Sequence, residues 1–217
     1  MASLMRVESL NFSWNKQRPI LRSLFLDIPD NRTLGIVGRN GSGTSTLFKC
    51  LTERTDFTGS LFYRDRYLEP TERMRHIAWM PQDSCLPPGL GVRTLLVRCG
   101  CGGHPLVAAD PRLPGLMHKR VAMLSPGERR YLEFLLVMSL EKPLTILDEP
   151  FSQVEPIFIT AMFDIIKKRP AGHSVLISDH NFVAVRECCD ELWLLHEGQF
   201  LAADRLEVLA SHDYLSL

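Results

Sequence analysis

A glycine-rich stretch at residues 38–46, Gly-Arg-Asn-Gly-Ser-Gly-Thr-Ser-Thr, constrains the fold of this chain more than any other feature. The apolar segment Thr33–Val37 precedes it, and Thr44–Leu51 has the pattern of a helix. A buried strand, a glycine turn and a helix N-terminus in this order form a phosphate-binding loop, because the glycines let backbone amides approach an anion. The sequence therefore predicts an α/β fold with a phosphate site at this turn.

One position of the loop departs from the usual pattern Gly-x-x-x-x-Gly-Lys-[Ser/Thr]. Thr44 stands where the lysine would reach the β- and γ-phosphates. A hydroxyl keeps one hydrogen bond but loses the positive charge. Removing one partner of a desolvated charge pair costs about 2–5 kcal/mol, which corresponds to roughly 30- to several-thousandfold in rate. We therefore expect nucleotide binding to survive in part and hydrolysis to be the endangered step.

Length and charge narrow the class of protein. The 217 residues suffice for one core with a small attached lobe, and 25 basic residues balance 25 acidic ones. Without a basic excess, we expect no nucleic-acid partner. The N-terminus lacks the apolar run of a secretory signal, and the apolar stretch 131–140 is about half of the roughly 20 residues that a membrane span needs. These observations predict a cytoplasmic protein.

The six cysteines are expected to be reduced thiols in such a compartment. Cys99, Cys101 and His104 raise the alternative of a metal site, but they supply three ligands at best and lie in a glycine-rich loop. We favour packing over metal binding for these cysteines.

The remaining pattern alternates strands and helices. Alternating segments 5–14, 20–28 and 59–68 predict an antiparallel sheet, and residues 83–123, rich in Pro and Gly, predict a small helical lobe around the helix 92–97. Apolar strands at 77–80, 144–147 and 174–178, with helices at 128–140, 157–168 and 182–189 and a closing hairpin at 192–202, predict a mostly parallel sheet with flanking helices.

An acidic pair ends one of these apolar strands, in Leu144-Thr-Ile-Leu-Asp148-Glu149. An acid at the carboxyl end of a strand beside a phosphate loop can hold Mg²⁺, and the next acid can deprotonate an attacking water. Taken alone, the two residues are equally consistent with a solvated acidic turn.

Further motifs in order identify a resemblance. Leu124-Ser-Pro-Gly-Glu-Arg129 resembles the Leu-Ser-Gly-Gly-Gln signature of the ATP-binding-cassette (ABC) ATPases, which are P-loop NTPases. Gln82, 43 residues before Ser125, resembles the family's Q-loop glutamine, and His180 after the strand 174–178 resembles its switch histidine. Trp14 resembles the aromatic residue that stacks on adenine. The resemblance covers roughly residues 5–202 and implies a single ABC-type domain over residues 1–217.

The resemblance implies a role for each residue. Glu149 would be the general base, assisted by His180 and Gln82, and Ser45, Gln82 and Asp148 would hold Mg²⁺. The remaining residues would bind ATP: Trp14, Gly38, Asn40, Gly41, Ser42, Gly43, Thr44, Ser45, Thr46, Ser125 and Gly127. Trp14 has packing as an equal alternative, and Ser125 is also a candidate helix cap.

Partners are also implied by the resemblance. Ser125 and Gly127 would act on the nucleotide of a second subunit, so we expect a homodimer or a heterodimer with a related cassette. A separate membrane permease would place the chain on the inner face of the membrane, where ATP hydrolysis drives transport. The alternative is a non-hydrolysing, nucleotide-gated dimerisation module, which Thr44 favours. A soluble translation or DNA-maintenance factor is disfavoured, because such proteins carry tandem cassettes or a long coiled-coil insertion, and only 43 positions separate Gln82 from Ser125.

Three other departures from the family pattern are milder. Pro126 replaces the first signature glycine and removes one amide donor, while Gly127 is intact. Glu155 lies near the position of the D-loop aspartate and keeps the charge on a longer side chain. Asn31 precedes the phosphate loop in place of glycine, and asparagine tolerates the same turn.

Overall fold

The computed structural model describes residues 3–15, 19–52 and 57–202, and its strands form two sheets. The strands are β1 (Ser3–Phe12), β2 (Leu21–Pro29), β3 (Thr33–Val37), β4 (Thr58–Tyr63), β5 (Arg66–Tyr67), β6 (Ile77–Met80), β7 (Leu144–Asp148), β8 (Ser174–Ser178), β9 (Glu191–His196) and β10 (Gln199–Ala202). The α-helices are α1 (Thr44–Leu51), α2 (Arg73–His76), α3 (Val92–Arg98), α4 (Pro105–Ala108), α5 (Pro126–Met138), α6 (Pro156–Lys167) and α7 (Phe182–Cys188).

The larger sheet has the order β10-β9-β3-β8-β7-β6. Neighbouring strands from β9 to β6 are parallel, and the hairpin β9-β10 is antiparallel. Every residue of β3, β7 and β8 is buried, which explains why these strands have no polar alternation in sequence. The mostly parallel sheet predicted from the sequence is confirmed.

The smaller sheet, β2-β1-β4-β5, is antiparallel, as predicted. The prediction of a single strand over residues 59–68 is wrong in one respect, because this segment forms a hairpin of β4 and β5. Arg64 and Asp65 form its turn, with φ of 47° and 63°. Two successive left-handed residues make the tight turn that matches the twist of the strands, although neither residue is glycine.

Two apolar cores cover the faces of the larger sheet. Alternate strand residues divide between them: Ile36, Ile146 and Leu176 pack towards α1 and the antiparallel sheet, while Leu147 and Ile177 pack towards α5, α6 and α7. Because these strands are parallel, their carboxyl ends lie at the same edge of the sheet, and the glycine-rich loop joins β3 to α1 at this edge.

Helix α5 begins as its sequence predicts. Pro126 occupies its first turn, and Ser125 is the N-cap, with its Oγ accepting a hydrogen bond of 3.0 Å from the amide of Glu128. The Glu128 carboxylate accepts in return from the Ser125 amide at 2.9 Å, which completes a capping box. Between β6 and α5 lie the short helices α3 and α4. The limits 83–123 given to this lobe stay a prediction.

Candidate functional site

A cavity of about 460 Å³ lies at the carboxyl edge of β3, β7 and β8. It brings together every predicted site residue except Ser125 and Gly127. Its lining consists of Trp14, Ile20, Gly38, Arg39, Asn40, Gly41, Ser42, Gly43, Thr44, Ser45, Thr46, Gln82, Asp148, Glu149, Ser178, Asp179 and His180. The order of motifs along the chain thus corresponds to one site in space.

The glycine-rich loop has the backbone of an anion cradle. Gly43 has φ of 105°, and a Cβ on Gly38 would lie 2.5 Å from the Ser42 hydroxyl, so neither position accepts a side chain without distortion. The first intrahelical bond of α1 runs from the amide of Leu47 to the carbonyl of Gly43 at 2.8 Å. The amides of Thr44, Ser45 and Thr46 precede this bond, and at a helix N-terminus such groups are donors for an anion.

The hydroxyl of Thr44 contacts its own loop. Its Oγ1 lies 3.1 Å from Oγ of Ser42, so the two side chains share a hydrogen bond within the turn. A lysine here would extend a charged ammonium group on a four-carbon chain, whereas this hydroxyl stays close to the backbone. The departure recognised in the sequence therefore removes a positive charge from the position where the phosphates are expected.

Glu149 is the point on which the polar side chains converge. Its Oε1 accepts a hydrogen bond of 2.9 Å from Nε2 of Gln82 and lies 2.9 Å from Nε2 of His180. The Glu149 side chain is 14% exposed and that of His180 is 60% exposed. A fixed carboxylate at the wall of an open cavity has the geometry that a general base requires.

Ser45 and Asp148 form a second polar pair beside Glu149. The Ser45 hydroxyl donates to Oδ1 of Asp148 at 3.4 Å. Burial raises the pKa of Asp148 to about 6, against a lowering by the Ser45 hydrogen bond. A buried acid with a raised pKa is the group that a cation would stabilise in its ionised form.

The residues present fit a hard cation and a phosphate chain. The hydroxyl of Ser45, the carboxylate of Asp148 and the amide oxygen of Gln82 are oxygen donors of the kind that Mg²⁺ takes. The cradle of amides and the open space beside Gly41, where nothing lies within 4 Å of a Cβ position, leave room for phosphate oxygens against the backbone.

The cysteine-rich loop has a different environment. Cys101 Sγ donates to the carbonyl of Cys99 at 3.3 Å, and His104 accepts from the amide of Leu106 at 3.2 Å as the N-cap of α4. His104 also lies 3.2 Å from Glu141. Within the described ranges, no cluster of three or more His, Cys, Asp or Glu side chains is placed to hold a metal. These contacts are structural and give the metal alternative no support.

Trp14 lies at the mouth of the cavity, with 62% of its surface exposed. One edge of its ring packs on Phe12, at 4.9 Å between centroids and 88° between planes. The amine of Lys49 lies 6.0 Å from its ring centroid. An indole that is supported at its edge and open elsewhere combines the packing alternative with a surface available for a planar base.

Comparison with known proteins decides the family. The family model described as ABC transporter matches residues 21–152, which is more than half of the chain. The chain belongs to the ABC transporter family. The predicted recognition and fold class are confirmed, and the described residues form the ATP-binding cassette of that family.

Several proteins similar in sequence to this ABC cassette are named as ATP-binding proteins. It is 28% identical over 196 residues to the ABC transporter ATP-binding protein YhaQ of Bacillus subtilis, covering 85% of this chain and 65% of YhaQ. It is 27% identical over 220 residues to the lipopolysaccharide export system ATP-binding protein LptB of Acidithiobacillus ferridurans, covering 94% of this chain and 90% of that protein. A Streptococcus mutans relative is longer, and the match spans 38% of it.

Solved structures share the cassette fold. A structure of an ATP-binding subunit of an ABC transporter has a TM-score of 0.81 at 21% identity, with coverage of 99% and 95% of the two chains. CbiO1 of Clostridium perfringens, part of the ABC transporter complex CbiONQ, has a TM-score of 0.78 at 20% identity, with coverage of 99% and 93%. No helix in the described part of this ABC cassette is long and apolar enough to cross a bilayer.

The signature residues of the cassette lie outside the cavity. Ser125 caps α5, and Gly127 is buried against the loop after β7. A Cβ on Gly127 would collide with the carboxylate of Glu155 and lie 3.1 Å from the carbonyl of Gln153, so a side chain here would require Glu155 to move. Their predicted role towards a nucleotide stays a prediction, because neither residue reaches the cavity of its own chain.

Two groups around the site were not predicted from the sequence. Asp179 accepts from the amides of Phe151 and Asn181 at 2.7 and 2.8 Å, which fixes the loops after β7 and β8. Arg130 and Glu133 form an ion pair of 3.2 Å on α5, with side chains only 8% and 4% exposed. The available signal was Glu133, a single charged residue within the otherwise apolar run 131–138.

Proposed function

We propose that this cassette binds ATP with Mg²⁺ in the cavity and hydrolyses it to drive transport through a separate membrane permease. The observation that carries the proposal is the convergence of Gln82 and His180 on one carboxylate oxygen of Glu149, at the rim of a phosphate cradle. A binding protein that only sequesters nucleotide has no use for a supported base at this point.

Different residues of the cavity bind the phosphates, hold the metal and act in hydrolysis. The amides of Thr44, Ser45 and Thr46 hold phosphate oxygens, and Trp14 stacks on the base. Ser45, Asp148 and Gln82 hold Mg²⁺, which neutralises charge on the phosphates when bound. Glu149 accepts the proton of the attacking water, and His180 keeps the base in place while contacting the γ-phosphate. These assignments rest on the donor chemistry of the side chains and on their shared cavity.

A second subunit completes the proposed site. Ser125 and Gly127 lie away from the cavity of their own chain and are supplied in trans, so the working unit is a homodimer or a heterodimer with a related cassette. The N-terminus of α5, with its partial positive charge, faces the partner's nucleotide. Exposed Met123, two residues before Ser125 and 69% accessible, lies beside this surface.

The permease is proposed to dock beside the lobe of residues 83–123, at the inner face of the membrane. Val97 on α3 is 70% exposed, and a large apolar side chain at that accessibility suits a protein contact. CbiO1, whose fold is similar, is part of the ABC transporter complex CbiONQ, which supports the proposal of a partner of this kind.

Thr44 favours a second candidate function, in which the cassette binds ATP and dimerises without hydrolysing it. The hydroxyl bonded to Ser42 supplies no charge to the γ-phosphate. The amide cradle, Trp14 and the Mg²⁺ ligands all contribute to nucleotide binding. The missing lysine at position 44 therefore weakens binding less than it slows hydrolysis.

Single-turnover hydrolysis of ATP by the parent chain and by Thr44→Lys tests both functions, with nucleotide binding measured alongside. A transporter ATPase is expected to hydrolyse, roughly 30-fold or more faster in Thr44→Lys. Binding without turnover in the parent, and turnover in Thr44→Lys, supports the gated module. Failure of both chains to bind ATP with Mg²⁺ would contradict the proposal.

A further inference from the structure

The ion pair of Arg130 and Glu133 contacts two of the segments that supply the catalytic groups, the loop that holds Gln82 and the end of β7. Both residues belong to α5, one turn apart, and Nη1 of Arg130 lies 3.2 Å from Oε2 of Glu133. Both side chains are buried, and the cavity lining does not include them. A buried ion pair is weak evidence for stability by itself, so its other contacts decide its role.

Arg130 binds the backbone around the two acids. Its Nη2 donates to the carbonyls of Asp148 and Glu149, the latter at 3.1 Å, and its Nε lies 3.3 Å from the same Glu149 oxygen. The guanidinium also donates from Nη1 to the carbonyl of Pro81 at 2.7 Å. One planar group therefore joins the end of β7 to the residue that precedes Gln82.

Glu133 holds the other end of the glutamine loop. Its Oε1 accepts a hydrogen bond of 2.9 Å from the amide of Cys85. Residues 81–85 are thus fixed at Pro81 by Arg130 and at Cys85 by Glu133. Gln82 lies inside this short loop, and its side chain reaches Glu149 at 2.9 Å.

We propose that Arg130 and Glu133 are positioning residues, which set the distance between Gln82 and Glu149 and couple movement of the 81–85 loop to the general base. This inference rests on the proposed function for the role of Glu149. A partner that displaces the loop would pull on the guanidinium, and the same guanidinium holds the carbonyls of Asp148 and Glu149. The pair then conveys the state of the loop to the acid without touching nucleotide.

The chain offers a matched control in Arg169. Its side chain is 9% exposed, and it donates to the carbonyls of His173, Ile166 and Asn31 at 2.9, 2.8 and 2.9 Å. It also has a carboxylate neighbour, Asp190, at 3.5 Å. Arg169→Met therefore removes the same kind of buried, carbonyl-binding guanidinium, away from the 81–85 loop.

Amide hydrogen exchange on the full chain without nucleotide gives the first test. Arg130→Met and Glu133→Gln are both expected to speed exchange in residues 82–86 by about tenfold or more, because each loosens an end of the loop. Arg169→Met is expected to leave that segment unchanged relative to the rest of the chain. Equal exchange of this segment in all three variants would overturn the proposal.

Hydrolysis in the Thr44→Lys background gives the second test. Arg130→Met and Glu133→Gln are expected to lower kcat about tenfold or more with the KM for ATP within about twofold, because positioning of the base acts on the transition state. Arg130→Lys, which keeps charge without the planar fork, is expected to recover little. An equal loss in Arg169→Met would assign the effect to stability and overturn the proposal.

The two measurements, hydrogen exchange and hydrolysis, distinguish a failure of this inference from a failure of the proposed function. If Thr44→Lys shows no ATP hydrolysis, the proposed function fails and hydrogen exchange alone decides the loop contact. If Arg130→Met does not fold, Glu133→Gln retains the volume of the side chain and carries both measurements.

Discussion

The imidazole Nε2 of His180 lies 2.9 Å from Oε1 of Glu149. The histidine is mostly exposed and the glutamate mostly buried, so the contact joins a solvent-accessible imidazole to a largely enclosed carboxylate. This relationship makes the function of each residue depend on the other.

We expect His180→Ala and Glu149→Gln, each in the Thr44→Lys background, to lower single-turnover ATP hydrolysis by about 10²–10⁴-fold, the usual range for general-base catalysis. The double variant should lose little more than the worse single one, because the residues act as a unit. His118→Ala changes an exposed histidine outside the cavity and is the control. Full additivity of the two losses would show that the pair acts independently.

Trp14→Ala should weaken ATP binding by about 2- to 12-fold, since aromatic stacking contributes about 0.5–1.5 kcal/mol. The loss should be similar for GTP, because stacking does not depend on base hydrogen bonds. Phe25→Ala removes another exposed aromatic ring outside the cavity and should leave affinity unchanged. Titration of nucleotide by calorimetry measures all three, and unchanged affinity in Trp14→Ala would leave only the packing role on Phe12.

The two roles of Ser125 can be separated by substitution. Ser125→Ala removes the N-cap and should lower the free energy of unfolding by about 1 kcal/mol, while Ser125→Asp keeps a good cap. Ser125→Asp places a negative charge near the partner's phosphates, so it should weaken ATP-dependent dimerisation at nearly parental stability. Denaturant unfolding and sedimentation measure the two effects. Normal dimerisation of Ser125→Asp with ATP would contradict action in trans.

Buried His173 predicts a pH dependence of stability. Burial, with nearby Arg169, lowers its pKa to about 4 from an ordinary 6.5, while its Nε2 lies 2.8 Å from the Thr145 hydroxyl. The unfolded chain binds this proton more tightly than the native one. The contribution is therefore fully present above pH 6.5 and is lost as the pH falls towards 4, by about 3 kcal/mol at most.

Urea unfolding of the parent and His173→Gln between pH 7 and pH 4 measures this contribution. The difference between the two chains should shrink steadily as the pH falls. A difference that does not change with pH would show that His173 has the same pKa in the native and the unfolded chain, and would contradict the prediction.

Local signals predicted most of the fold. The buried strands β3, β7 and β8 lack the alternation of polar and apolar residues, and the glycine loop follows β3 directly, so their type and order follow from neighbouring residues. The cap of α5 was equally clear from Ser125 and Pro126. The turn at Arg64 and Asp65 was missed because the alternation of β4 continues across it and no glycine marks it.

The candidate site was predicted in its residues but not in its supports. Gln82, Glu149 and His180 come from the resemblance to a family, and their convergence at 2.9 Å required the structure. The contacts of Arg130 with Pro81 and of Glu133 with Cys85 join residues 49 and 48 positions apart. Such pairings depend on the order of strands, which periodicity within one segment does not encode.

The backbone of Glu149 has φ of 52°, and its amide donates to the carbonyl of Ser178 at 2.7 Å. A left-handed conformation at a residue that is not glycine costs of order 1–3 kcal/mol. Glycine or asparagine would adopt it more easily, so the chain is less stable than it would be with either at this position. A library of this protein selected for stability alone should drift away from glutamate here, and selection for heat resistance would then remove the carboxylate before it altered the fold.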